Sequence, residues 1–144
     1  MKIFVAGGTG FVGKHVCRAL HERGHELRLL VHQRRGSTDG GIKYIEGDVT
    51  RLESFAAGIN GCDAAINLVG IIREFPSKGA TFERLHVQAT ANVLTAAQSS
   101  GIRRYLQMSA LGTRPHAVSA YHQTKWRAEE SVRGSGLELS LIHI

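Results

Sequence analysis

Long apolar runs, proline, cysteine and aromatic side chains are all scarce in this chain of 144 residues. No stretch approaches the ~18 apolar residues of a membrane-spanning helix. Gly7, Gly8 and Gly10 interrupt the first run and polar residues bound the later ones, so no membrane span is expected. That first run, Met1 to Ala6, is also shorter than the roughly 7–15 residues of a secretory signal's apolar core, which makes a cytoplasmic location the expectation. The two cysteines, Cys17 and Cys62, form no Cys-x-x-Cys pair. They exclude a disulfide framework and read as small buried hydrophobes. Only two prolines, with 42% hydrophobic and 21% charged residues, exclude collagen-like and disordered chains. Eight histidines make neither His-Glu-x-x-His nor a Cys/His cluster, so no metal site is expected.

Carboxylates are the scarcer charge, 12 against 18 lysines and arginines. Most of the excess lies in residues 1–36, where Lys2, Lys14, Arg18, Arg23, Arg28, Arg34 and Arg35 face only Glu22 and Glu26. Such a surface suits a polyanion, and a small phosphorylated ligand satisfies it as well as nucleic acid does. With no basic helix and no aromatic stacking platform visible, nucleic acid is not the expected partner.

Short apolar runs alternate with longer helical patterns. Strands are expected at Lys2–Ala6, Leu27–Val31, Lys43–Glu46, Ala64–Val69, Tyr105–Met108 and Leu137–Ile144. Between them, helical spacing runs over Phe11–Arg23, Thr81–Ser99, with Gly101 just past its end, and Tyr121–Arg133. Thr50–Ala57 offers a short helix with Thr50 as its N-cap. Six strands alternating with helices predict an α/β fold, a Rossmann-type doubly wound parallel sheet with helices on both faces, occupying residues 1–144 as one dinucleotide-binding domain. Ligands of such a fold lie at the carboxyl ends of the strands, where strand order reverses.

The candidate functional residues fall at those ends. Gly7-Gly8-Thr9-Gly10-Phe11-Val12-Gly13 follows the first strand and opens the first helix, and it satisfies both Gly-x-Gly-x-x-Gly and its Gly-x-x-Gly-x-x-Gly variant. Backbone can there approach a pyrophosphate at the helix N-terminus, while Gly13 serves close helix–strand packing. The second strand ends in His32-Gln33-Arg34-Arg35, with no carboxylate to take a ribose 2′-hydroxyl. Arginine there suits a 2′-phosphate, so NADP(H) is expected over NAD(H), with NAD(H) still open. Asp48 in Gly47-Asp48-Val49 is placed to accept from the adenine amino group, or else to cap the segment that follows. Tyr121 and Lys125 stand one helical turn apart, where an ammonium can stabilise a phenolate, and Ser109 at the mouth of the fifth strand can bond a substrate oxygen.

Together these motifs resemble an extended or atypical short-chain dehydrogenase/reductase of the NAD-dependent epimerase/dehydratase superfamily. Asn67-Leu68-Val69-Gly70-Ile71-Ile72, Phe82–Ala97, Met108-Ser109-Ala110-Leu111-Gly112 and Ser119-Ala120-Tyr121 to Lys125 resemble the branch that holds the NAD(P)H-binding accessory subunit of respiratory complex I and its bacterial relatives. The resemblance implies that Gly7, Gly10 and Gly13 bind pyrophosphate, Asp48 and Val49 the adenine side, Leu68, Val69 and Gly70 the ribose region, and Ser109, Tyr121 and Lys125 the nicotinamide and substrate. The chain departs from the family pattern at His86, often Asn, and at His32, often Arg. It also lacks the Arg-Pro pair and the C-terminal substrate-binding lobe that follow the sixth strand in relatives.

These features imply a nicotinamide-dependent oxidoreductase domain with Ser109, Tyr121 and Lys125 as its catalytic residues and a small-molecule substrate. Two other readings stay open: a non-catalytic NADPH-binding structural or assembly module, and a redox-sensing regulator. The apolar last strand is expected to offer an edge through which copies of the chain associate.

Overall fold

The computed structural model describes residues 1–33 and 40–144. Arg34 and Arg35 lie outside the described residues. Six parallel strands, β1 (Lys2–Ala6), β2 (Glu26–Val31), β3 (Ile42–Glu46), β4 (Ala64–Asn67), β5 (Arg104–Ser109) and β6 (Glu138–His143), form one sheet in the order β3-β2-β1-β4-β5-β6. The chain leaves β1 toward β2 and β3 and returns on β1's other side as β4. The reversal of strand order therefore falls between β1 and β4, and the expected doubly wound sheet is the observed one.

Alternation along β1 shows why its apolar run is continuous. Phe4 and Ala6 belong to one core with Leu30, Phe55, Val93, Ala97 and Tyr105. Ile3 and Val5 belong to the opposite core with Cys17, Leu27, Leu29 and Ile66. Both faces of a parallel strand are buried, so both sets must be apolar. Helix α1 (Phe11–Glu22) covers the second core, and α2 (Ala89–Ser99) and α3 (Ala120–Arg133) lie over the first.

Several boundaries differ from the sequence expectation. The helix expected over Thr50–Ala57 is two 3-10 turns, Leu52–Ser54 and Ala56–Ile59, and Thr50 caps neither. Instead, Asp48 Oδ1 accepts from the Thr50 backbone N–H at 2.8 Å and from its hydroxyl at 2.7 Å, which closes a turn before any helix starts. β4 stops at Asn67 rather than Val69, because the Asn67 side-chain oxygen takes the Val69 N–H at 3.1 Å and turns the backbone out of the ladder. The long helix expected from Thr81 opens with a π-helical stretch, Glu83–Gln88, before α2 proper. α3 starts one residue early, with Ser119 accepting the His122 N–H at its N-cap.

Candidate active site

Two cavities that share Gly7 lie along the carboxyl ends of the strands. The first, about 330 Å³, is lined by Leu30, His32, Asp48, Val49, Lys78 and Arg84 among others. The second, about 250 Å³, is lined by the glycine-rich turn, Leu68, Gly70, Ser109, Tyr121 and Lys125 among others.

The turn between β1 and α1 is shaped by what a side chain would strike. Gly7 has φ +79, and a Cβ there would stand 2.7 Å from the Leu68 carbonyl carbon. At Gly13 a Cβ would come within 2.2 Å of the Gly7 oxygen, so α1 can pack this closely against the turn only with glycine there. Gly8 faces inward, toward Cys17 and Leu29, and does not line either cavity. Thr9 is an exposed turn residue, likewise outside both linings. Gly10 is the N-cap of α1, with no side-chain cap and no acid in the first turn. The first N–H groups of α1 consequently lack side-chain partners and open beside the second cavity, which Phe11, Val12 and Gly13 line. A bare helix N-terminus over a glycine cradle fits a pyrophosphate, and hence a dinucleotide, in its donors and in its space.

At the other end of the trough, Asp48 lines the first cavity but its carboxylate is already engaged by Thr50. Burial raises its pKa, yet the Thr50 hydrogen bonds and the nearby His32 and Arg84 outweigh burial and hold it below the ordinary carboxylate range. Val49 and Val69 line the same cavity. Lys78 and Arg84 add cations from the far wall; Arg84 bonds the Thr50 hydroxyl and the Gly79 carbonyl, both at 3.2 Å. Neither cation was visible as a site residue from sequence, because the turn at Pro76–Lys78 and the π-helical stretch that carry them have no local signature.

The second cavity brings Ser109, Tyr121 and Lys125 together. Ser119 and His122 fix the start of α3, His122 also bonding the Leu111 carbonyl at 3.1 Å, and this sets Tyr121 and Lys125 on the cavity side. Lys125 is buried at 3% exposure and donates to the Met108 carbonyl at a long 3.4 Å. Burial, partly offset by Glu129, pulls its ammonium down to about 8. Burial pushes the Tyr121 phenol up, and among the described residues nothing hydrogen-bonds its hydroxyl. Among the described residues Lys125 makes no hydrogen bond to that hydroxyl, although both groups line one cavity.

Two buried groups behind these residues were not read as site residues from sequence. His86 stacks on Phe82, meets the Tyr121 ring edge-on at a centroid distance of 5.2 Å, and lies 2.9 Å from the Thr124 hydroxyl. Burial and the Lys125 charge lower its pKa to about 4, so it is neutral at ordinary pH. Glu129, 1% exposed, bonds His143 and Arg133 at 2.8 Å each. Burial raises its carboxyl, but Ser109, His143 and Arg133 outweigh that and keep it low. Its position one turn after Lys125 was the available signal.

The NAD(P)H-binding family profile matches residues 7–143. The chain is 23% identical over 145 residues to the mitochondrial NADH-ubiquinone oxidoreductase 40 kDa subunit of Neurospora crassa, covering 96% of this chain and 38% of that protein. It is 28% identical over 138 residues to ceramide reductase of Caulobacter vibrioides, covering 92% of this chain and 42% of that protein. The chain thus spans about two fifths of the length of these relatives. A solved short-chain dehydrogenase/reductase superfamily protein from Agrobacterium tumefaciens with bound NAD superposes with a TM-score of 0.80 at 24% identity, over 99% of this chain and 48% of that one.

Proposed function

This chain belongs to the NAD(P)H-binding family, as an oxidoreductase-type domain of the short-chain dehydrogenase/reductase and epimerase/dehydratase kind, and we propose that it carries the hydride-transfer site of a carbonyl or alcohol oxidoreductase. One observation supports this most: the uncapped N-terminus of α1 and its glycine cradle share a cavity with Ser109, Tyr121 and Lys125. When bound, a reduced nicotinamide supplies a hydride to a carbonyl carbon. The chain's own residues have the remaining work. Tyr121 gives its phenolic proton to the carbonyl oxygen, and in the oxidative direction it takes that proton back. Lys125, charged and close by, stabilises the phenolate left behind and bonds the cofactor ribose. Ser109 lines the cavity, its hydroxyl 3.4 Å from that of Thr113, and is the group proposed to hold the reacting oxygen.

NADP(H) is the preferred cofactor in this reading. No carboxylate ends β2, and Lys78 and Arg84 make the proposed adenosine cavity cationic around a single acid, Asp48. Arg34 and Arg35, outside the described residues, follow close after His32 in the sequence. A second reading is a module that binds the cofactor without turnover. It is favoured by the Tyr121 phenol, which burial raises and which Lys125 does not reach with a hydrogen bond.

Calorimetric titration of NADPH and NADH, paired with turnover of Tyr121→Phe, separates the two. The oxidoreductase reading expects NADPH to bind more tightly, and Tyr121→Phe to lose at least ~100-fold in kcat with cofactor affinity nearly unchanged. Unchanged kcat in that variant refutes the role of Tyr121, and wild-type cofactor binding without turnover supports the module.

A further inference from the structure

His86 is 1% exposed and lines neither cavity, yet it touches both the segment that leaves β4 and the first turn of α3. Its Nε2 lies 3.1 Å from the Ile71 carbonyl oxygen and 3.3 Å from the Ile71 backbone nitrogen. Its Nδ1 lies 2.9 Å from the Thr124 hydroxyl, which is itself 2.9 Å from the carbonyl oxygens of Ala120 and Tyr121. A neutral imidazole has one N–H and one bare nitrogen. With the proton on Nε2 it donates to Ile71 and accepts from Thr124; with the proton on Nδ1 it donates to Thr124 and accepts from Ile71. Either tautomer ties the exit of β4 to α3.

The rings add a second hold on Tyr121. The imidazole stacks on Phe82 at a centroid distance of 5.2 Å, and both rings meet the Tyr121 ring edge-on, at 5.2 Å and 5.6 Å. Edge-to-face pairs attract at these separations. Lys125 shares the packing: a Cβ at Gly70 would stand 3.0 Å from its Nζ and 3.7 Å from His86 Nε2. A hydrocarbon side chain of similar size would fill this space without giving up water. The imidazole gives up water and is repaid by bonds that fix its orientation. It also sits in the π-helical stretch Glu83–Gln88, a departure from α geometry that recurs at functional sites.

We infer that His86 is the positioning residue of this site: it brackets Ile71 and Thr124, and so fixes where the Tyr121 ring stands relative to Gly70 and Lys125. It touches no reacting atom. The inference rests on the oxidoreductase reading only for the use made of that placement, since a misplacement of about 1 Å can cost on the order of 100-fold in rate.

The test reads placement directly, at neutral pH and without a substrate. Protein labelled with ring-13C tyrosine carries three labelled residues, Tyr44, Tyr105 and Tyr121, and Tyr121→Phe identifies the Tyr121 signal. The rings packed on Tyr121 displace that signal from the position of free tyrosine. Thr124→Val removes the hydroxyl that His86 meets and leaves every ring in the sequence unchanged. It should move the Tyr121 signal toward the free position, with those of Tyr44 and Tyr105 unmoved, and Thr124→Ser should return it. His86→Phe keeps a ring, loses both bonds and should also displace the signal, which decides the matter if Thr124→Val does not fold. Val93→Ala, a core control, should lower Tm and leave the Tyr121 signal in place. A Tyr121 signal that stays put in both Thr124→Val and His86→Phe while Tm falls overturns the inference, because His86 then only fills the core. If the kinetics of Tyr121→Phe refute the oxidoreductase reading, a displaced signal still establishes the bracket, so the two failures are told apart.

Discussion

Replacing Lys125 by methionine should stabilise the fold even as it removes a group proposed for function. The ammonium is 3% exposed, and its recorded hydrogen bond, to the Met108 carbonyl, is a long 3.4 Å. Burial brings its pKa from 10.5 to about 8 in the folded chain. The unfolded chain keeps the ordinary value, so holding Lys125 charged in the fold costs on the order of 3 kcal/mol, at ~1.4 kcal/mol per pKa unit. Between about pH 8 and 10.5 the unfolded chain carries a proton that the folded chain has lost, so stability from this group rises with pH across that window. Below the window the penalty is present in full. Methionine keeps most of the stem's packing and removes the charge, and Glu129 retains Arg133 and His143. Lys125→Met should therefore be about 2–3 kcal/mol more stable at pH 7, roughly 6–10 °C in Tm. The advantage should be gone by about pH 10.5. Urea unfolding of both chains at pH 7 and above pH 10 measures it. A variant less stable than wild type at pH 7, or an advantage indifferent to pH, refutes the account of Lys125 as an uncompensated buried charge.

Gly13→Ala should lower stability by about 1–3 kcal/mol, because its Cβ must displace the Gly7 carbonyl from a 2.2 Å approach, and should weaken cofactor binding as well. Gly24→Ala is the control: φ is +78 with nothing within 4 Å, so it should cost about 1–2 kcal/mol of stability and leave cofactor affinity alone. Equal effects of the two on cofactor affinity, measured by calorimetry, would remove the packing argument for Gly13. Arg34→Ala combined with Arg35→Ala should narrow the preference for NADPH over NADH by about ten-fold or more, since charge-assisted bonds to phosphate contribute roughly 1.5–3 kcal/mol each. Titration of both cofactors reads it, and an unchanged ratio shifts the 2′-phosphate assignment to His32, Lys78 and Arg84.

The sheet and the glycine-rich turn were legible in the sequence because both are written in backbone terms. Continuous apolar runs such as Phe4-Val5-Ala6 belong to strands covered on two faces, and glycines at Gly7 and Gly13 mark places where no Cβ fits. Tyr121 and Lys125 were legible because helical spacing alone puts them on one side of α3. What escaped was set by side chains acting on backbone at short range. Thr50 looks like a cap until Asp48, two residues earlier, takes its N–H and hydroxyl. Asn67 reads as one more residue of an apolar run, yet its side chain ends β4. Nothing local announces the π-helical stretch at Glu83–Gln88, and with it were missed the placements of Arg84 on the cavity beside Asp48 and of His86 behind Tyr121.

Buried polar groups gather at the carboxyl ends of β4 and β5, and they divide into two kinds. Asn67, Thr90, Gln107 and Tyr105 are buried and bond one another: Asn67 donates to Thr90 and Gln107, Gln107 donates to Thr90, and the Tyr105 hydroxyl donates to Gln107. Such a closed network fixes where the strands end and asks nothing of a ligand. Lys125 is of the other kind, deeply buried with one long bond to the Met108 carbonyl and a depressed pKa. Gly70 lies against it so closely that a Cβ there would stand 3.0 Å from its Nζ. In the proposed reading, a charge kept buried with so little local compensation, on the wall of a cavity that also holds Tyr121 and the bare end of α1, finds its missing partner in the bound cofactor. That asymmetry is why removing the charge should raise stability and lower cofactor affinity together, whereas removing a member of the closed network should lower stability alone.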